Sequence, residues 1–134
     1  MDSILLEATA TTPKVILDPV ANKFEISGES RPENTAKFYT PIIEWFENYS
    51  SVLYYQKSSG GKTRTTIMEF KLEYFNSTSA KFILDIFYKL EKIHKEGCEV
   101  EVVWHYDARD TDMKESGEEF SNYVPGLPVR YVGY

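Results

Sequence analysis

From Thr65 to Phe75 apolar and polar residues alternate: Met68, Phe70, Leu72 and Tyr74 face one way, Glu69, Lys71 and Glu73 the other. A period of two predicts a strand with one buried face. The pattern then lengthens to helical spacing, with Phe82, Ile83, Ile86, Phe87, Leu90 and Ile93 on one side of a helix that stops near Gly97. Alternation returns from Cys98 to Tyr106, where Val100, Val102, Trp104 and Tyr106 oppose Glu99, Glu101 and His105. Upstream, Ile4 to Glu7, Lys14 to Asp18 and Lys23 to Ser27 read as short strands, the last two joined by a hairpin-length turn. Gly28 to Glu33 reads as a loop. A first helix, capped by Asn34 or Thr35, carries the stripe Phe38, Ile42, Trp45, Phe46 and Tyr49 and ends between Ser50 and Lys57. A third helix begins at Asp110 or Thr111 and runs through Phe120, before a turn at Pro125 to Pro128 and a last strand at Val129 to Val132.

The resulting order, βββαβαβαβ, implies parallel strands joined by right-handed crossovers in its later part. A parallel sheet covered on both faces has nearly continuous apolar strands. These strands keep charges at alternate positions instead. The expected fold is therefore an α/β two-layer sandwich, a mixed sheet with helices mainly on one face and the other face partly wet. Its 134 residues suit one domain over the full chain.

Charge narrows the function classes. The net charge of −6 argues against a nucleic-acid or anionic-membrane binder. The single cysteine, Cys98, allows no internal disulfide and reads as a buried thiol. The N-terminal stretch lacks the pattern of a secretion signal, and no apolar run is long enough to span a bilayer, so a cytoplasmic location is expected. The sequons at Asn48 and Asn76 are then chance matches.

Glu73 to Asp85 concentrates the chemistry. A strand ends at Asn76, three hydroxyl residues follow at Ser77, Thr78 and Ser79, and a helix begins. Such hydroxyls cap helices. They also accept phosphate where helix N–H groups stabilise an anion. Lys81 follows Ser77 by one helical turn. Arg31-Pro32-Glu33-Asn34 reads as a loop and cap, and lies near this cluster if the two helices are neighbours.

Other motifs carry less. Gly61-Lys62-Thr63 matches the tail of a phosphate-binding loop, but Gln56 stands where a glycine is needed and a strand follows. No clustered metal ligands are visible around His94 or His105, so no metal or other cofactor is expected. The acidic run Glu115, Glu118, Glu119 reads as a solvated helix face, and Trp45 and Trp104 as core. A small enzyme or ligand-binding domain using His105 and Asp107 remains an alternative.

Four segments together resemble the SiaC family of bacterial regulatory phosphoproteins: Glu7 to Pro13, Arg31 to Asn34, Leu72 to Lys81 and Trp104 to Asp107. The resemblance covers nearly the whole chain. It implies a STAS-like fold and a non-enzymatic partner switch, modified by a Ser/Thr kinase and a PP2C-type phosphatase. It also implies that the unmodified form binds and activates a diguanylate cyclase, promoting cyclic-di-GMP synthesis; a STAS-like anti-sigma factor antagonist is the alternative. In the family the phosphoacceptor follows the Asn that ends the strand, which is Ser77 here, with Thr78 next. The docking surface expected from both readings comprises Arg31, Pro32, Glu33, Asn34, Asn76, Ser77, Thr78, Ser79 and Lys81.

Overall fold

A computed structural model describes residues 1–134. Three strands open the chain: β1 (Ile4–Leu6), β2 (Lys14–Asp18) and β3 (Lys23–Ser30). Then come α1 (Thr35–Ser58), β4 (Thr66–Phe75), α2 (Ser77–Lys95), β5 (Val100–Tyr106), α3 (Thr111–Tyr123) and β6 (Val129–Gly133). The six strands lie in sequence order in one sheet, antiparallel from β1 to β3 and parallel from β3 to β6. Successive crossovers of one hand that step in one direction put every helix on one face.

That face holds a single core of 26 buried residues, built from Val15, Leu17, Phe24, Ile26, Met68, Phe70, Leu72, Val100, Val102 and Trp104 of the sheet and the apolar stripes of the helices. Cys98 is buried at its edge. The opposite face is polar, as the alternation predicts. Lys23 and Lys71 flank the carboxylate of Glu25, Lys23 also reaches Glu69, and His105 Nε2 lies 3.1 Å from Glu69 Oε1. Burial opposes the charge on Glu25, but the Ser27 hydroxyl and the neighbouring lysines outweigh it and hold its pKa below 4.5.

Two boundaries and one strand facing differ from expectation, each because of a contact with a segment distant in sequence. β3 continues to Ser30, through residues read as loop, because Glu29 and Ser30 pair with Tyr74 and Phe75 of β4. The register slips there: Gly28 faces Leu72 and Glu29 faces Tyr74, leaving Glu73 as an extra residue. An extra residue inverts the alternation beyond it. Tyr74 is thereby turned to solvent, and Phe75 packs onto the core beside Trp104 and Phe120. Finally, α1 reaches Ser58, where the Lys57 ammonium donates to the carbonyl of Gly97 and ties its last turn to the end of α2.

Candidate functional site

Two helices begin side by side at the carboxyl end of the parallel strands. Asn34 caps α1 by accepting from the N–H of Lys37, and Asn76 caps α2 by accepting from the N–H of Ser79 at 2.8 Å. The α2 cap is therefore the asparagine, which leaves the three hydroxyls after it free for other work. Asn76 also donates its backbone N–H to the carbonyl of Ser30 at 3.0 Å, which fixes the strand-to-helix turn against the end of β3. Asn76→Ala is expected to cost about 1 kcal/mol of stability, measurable by urea unfolding, with no change in the far-ultraviolet dichroism of the folded state.

The three hydroxyls have different fates. Ser77 is exposed, and the hydrogen bonds of the junction leave its side chain out. Thr78 is exposed too, but its hydroxyl donates to Asn76 Oδ1 at 3.1 Å and lies 3.1 Å from the hydroxyl of Thr35 on α1. Ser79 is sealed. A directed chain runs beneath the junction: Tyr39 donates to Ser30, Ser30 to Ser79 at 2.9 Å, and Ser79 to the Ser30 carbonyl at 3.1 Å. Every hydroxyl in this chain donates once, so a buried polar cluster joins β3, α1 and α2 without an orphaned group. Burial pushes the Tyr39 phenol pKa up, against the lowering effect of the Ser30 and Ser79 hydroxyls.

The expected docking surface is therefore partly corrected. Arg31, Glu33, Asn34, Ser77, Thr78 and Lys81 are exposed and Asn76 half-buried, and the Arg31–Asn34 segment does adjoin the hydroxyl cluster. Ser79 is removed from the surface by the buried chain just described. Pro32 is buried as well. The stretch before it is tied down: the Arg31 N–H donates to the carbonyl of Thr11 at 2.8 Å, and the Arg31 guanidinium to that of Ala10 at 3.2 Å.

These contacts bring in part of the Glu7 to Pro13 segment, which carried the family resemblance but was not counted in the docking surface. Residues Thr9 to Thr12 form a tight turn, with the Thr9 hydroxyl accepting from the N–H groups of Thr11 and Thr12. With Glu33, Asn34 and Lys37, Thr11 and Thr12 line a shallow groove beside the start of α1. The signal was present in the threonine spacing before Pro13, a local hydroxyl turn.

The enzyme alternative loses its geometry. His105 points across the open sheet face to Glu69, whereas Asp107 clasps Arg109 at 2.7 Å. The two side chains line separate open hollows that adjoin at Glu73 and Tyr134. The Arg109 side-chain and backbone hydrogen bonds hold the Asp107 carboxyl down to about 2 from its ordinary 3.8. A depressed carboxylate contributes stability that is fully present above its unfolded pKa and is lost as pH falls through the folded one. The clasp should accordingly persist as pH falls from 3.8 towards 2. Arg109→Ala should raise the Asp107 midpoint, read by carboxyl carbon NMR, part of the way back towards 3.8, because the backbone N–H of residue 109 still donates to Asp107 Oδ1.

Comparison with known proteins bears on the family and the fold. The profile of the SiaC family of regulatory phosphoproteins matches residues 6–134. An uncharacterized protein of Pseudomonas aeruginosa (strain UCBPP-PA14) is 30% identical over 120 residues, covering 90% of this chain and 88% of its own length. The crystal structure of apo-SiaC from Pseudomonas aeruginosa superposes with a TM-score of 0.84 at 28% identity, over 98% of this chain and 99% of that one. SiaC in the crystal structure of the diguanylate cyclase SiaD with its activator SiaC, from the same organism, gives 0.85 at 27% identity over 98% and 99% of the two chains. With its six-stranded mixed sheet and three helices, the chain belongs to the SiaC family of regulatory phosphoproteins.

Proposed function

We propose that this protein is a non-enzymatic, cytoplasmic switch whose unmodified surface around Ser77 binds and activates a diguanylate cyclase, and whose phosphorylation at Ser77 breaks that contact. A Ser/Thr kinase would add the phosphate and a PP2C-type phosphatase would remove it. The observation that carries the reading is the junction itself. One hydroxyl, Ser77, stands exposed and unengaged at the first residue of α2, flanked by exposed Thr78, Glu33, Asn34 and Lys81. The structure of SiaD with its activator SiaC favours a cyclase as the partner.

The physics at Ser77 suits a reversible charge. A phosphate adds roughly −1.5 to −2 charges at neutral pH. Placed at a helix start it gains about 0.3–1 kcal/mol from the dipole, so modification leaves the fold intact and alters only the surface. Thr78 is the second candidate, but its hydroxyl already bridges Asn76 and Thr35, and its modification would break both contacts.

The test is reconstitution with a diguanylate cyclase from the same genome. Unmodified protein should raise cyclic-di-GMP production several-fold. Ser77→Ala should activate as well as the parent and resist the kinase, while Thr78→Ala should still be modified. Absence of binding to any cyclase, with capture of an anti-sigma factor instead, would reassign the partner.

A further inference from the structure

Far from Ser77, at the opposite end of β4, a second concavity is built into the fold. It lies between the last turns of α1, the β2–β3 turn and the loop entering β4, with a volume of about 370 Å³. β4 has ten residues, so roughly 30 Å separates the two regions at about 3.3 Å per residue.

The lining has two parts. Tyr49 and Leu53 form a buried apolar floor, while Val20 and Val52 form apolar walls open to solvent. Val20 is 83% exposed. The turn holds it there: Asp18 Oδ1 accepts from the N–H groups of Val20 and Ala21, and Asn22 takes a φ of +53°. At the mouth stand Lys62 and Arg64. Arg64 donates to the Val20 carbonyl at 3.2 Å, and neither cation forms an ion pair with a carboxylate. Seven of the 15 basic residues lack such a pair, and Lys62 and Arg64 are the two of them that line this opening.

An apolar wall with a few placed charges is the usual build of a small-molecule site. We infer that this cavity binds a small amphipathic anion, an acyl or aryl body seated against Val20, Val52 and Leu53 with its carboxylate or phosphate held by Lys62 and Arg64. Arginine suits either head group, because its fork meets two oxygens at once. The site shares no residue with the Ser77 junction, so its failure would leave the switch reading untouched.

Amide NMR titration of the full chain tests it, with octanoate, phenyl phosphate and neutral octanol as probes. Octanoate or phenyl phosphate should give saturable shifts at Val20, Asn22, Val52 and Arg64, and the stronger of the two identifies the better-fitting combination of body and head group. The K62Q/R64Q double variant should weaken that binding at least tenfold while its remaining spectrum stays native. Octanol should also bind at least tenfold more weakly. Three results would overturn the assignment: no saturation by either anion up to about 10 mM, where affinity is negligible; equal binding by the double variant; or equal binding of octanol.

Discussion

Gly117→Ala is expected to destabilise the protein by about 2–3 kcal/mol, although alanine favours a helix interior by about 1 kcal/mol over glycine. The added Cβ would stand 2.5 Å from Cδ1, 2.6 Å from Nε1 and 2.7 Å from Cγ of the Trp104 indole. Trp104 has nowhere to retreat. It is fully buried, ringed by Phe70, Phe75, Phe87 and Phe120, and its Nε1–H donates to the Met113 carbonyl at 2.9 Å. Relief requires α3 to lift from the sheet, which loosens the Phe120 contact and the indole hydrogen bond together. Thermal unfolding should show a midpoint lower by roughly 10 °C. Gly126→Ala is the control: its Cβ would meet nothing nearer than Glu91 Oε2 at 4.0 Å, and its effect should stay within about 0.5 kcal/mol. Equal effects at the two glycines would disprove the close packing of α3.

Ser77→Asp should lower affinity for the cyclase at least tenfold while leaving the unfolding midpoint almost unchanged. Aspartate brings one charge and little bulk, so it reports a lower limit. The full phosphate should cost at least a hundredfold, about 3 kcal/mol, because a dianion without a partner is poorly accommodated in a desolvated contact. The lack of a stability effect follows from position: an acidic residue in the first turn of a helix is mildly favoured. Thr78→Val separates the neighbouring hydroxyl. It removes the bridge to Thr35 and Asn76 without adding charge, and should change binding less than Ser77→Asp does.

The period-two and helical patterns revealed the order of elements and most of the core, because each strand and helix buries one face. Where two segments had to meet, local pattern was silent. Nothing in the run from Thr65 to Phe75 shows that Glu73 is the extra residue, since the slip is defined by pairing with Gly28 and Glu29 on β3. Nor does the string Ser77-Thr78-Ser79 distinguish an exposed hydroxyl from a sealed one. The difference comes from Ser30 and Tyr39, distant in sequence, which claim Ser79. The cap of α1 was legible to within one residue, Asn34 or Thr35, because capping is local. The role of Gly117 was not, because its cause is an indole on another element.

The most direct test is to treat the purified protein with the proposed Ser/Thr kinase, separate the zero- and one-phosphate forms by intact mass, locate the phosphate, and titrate each form into the proposed cyclase partner. The account predicts one phosphate on Ser77 and at least a hundredfold loss of affinity in that form alone. Equal affinity of the two forms, or a phosphate confined to a residue outside the start of α2, would contradict it.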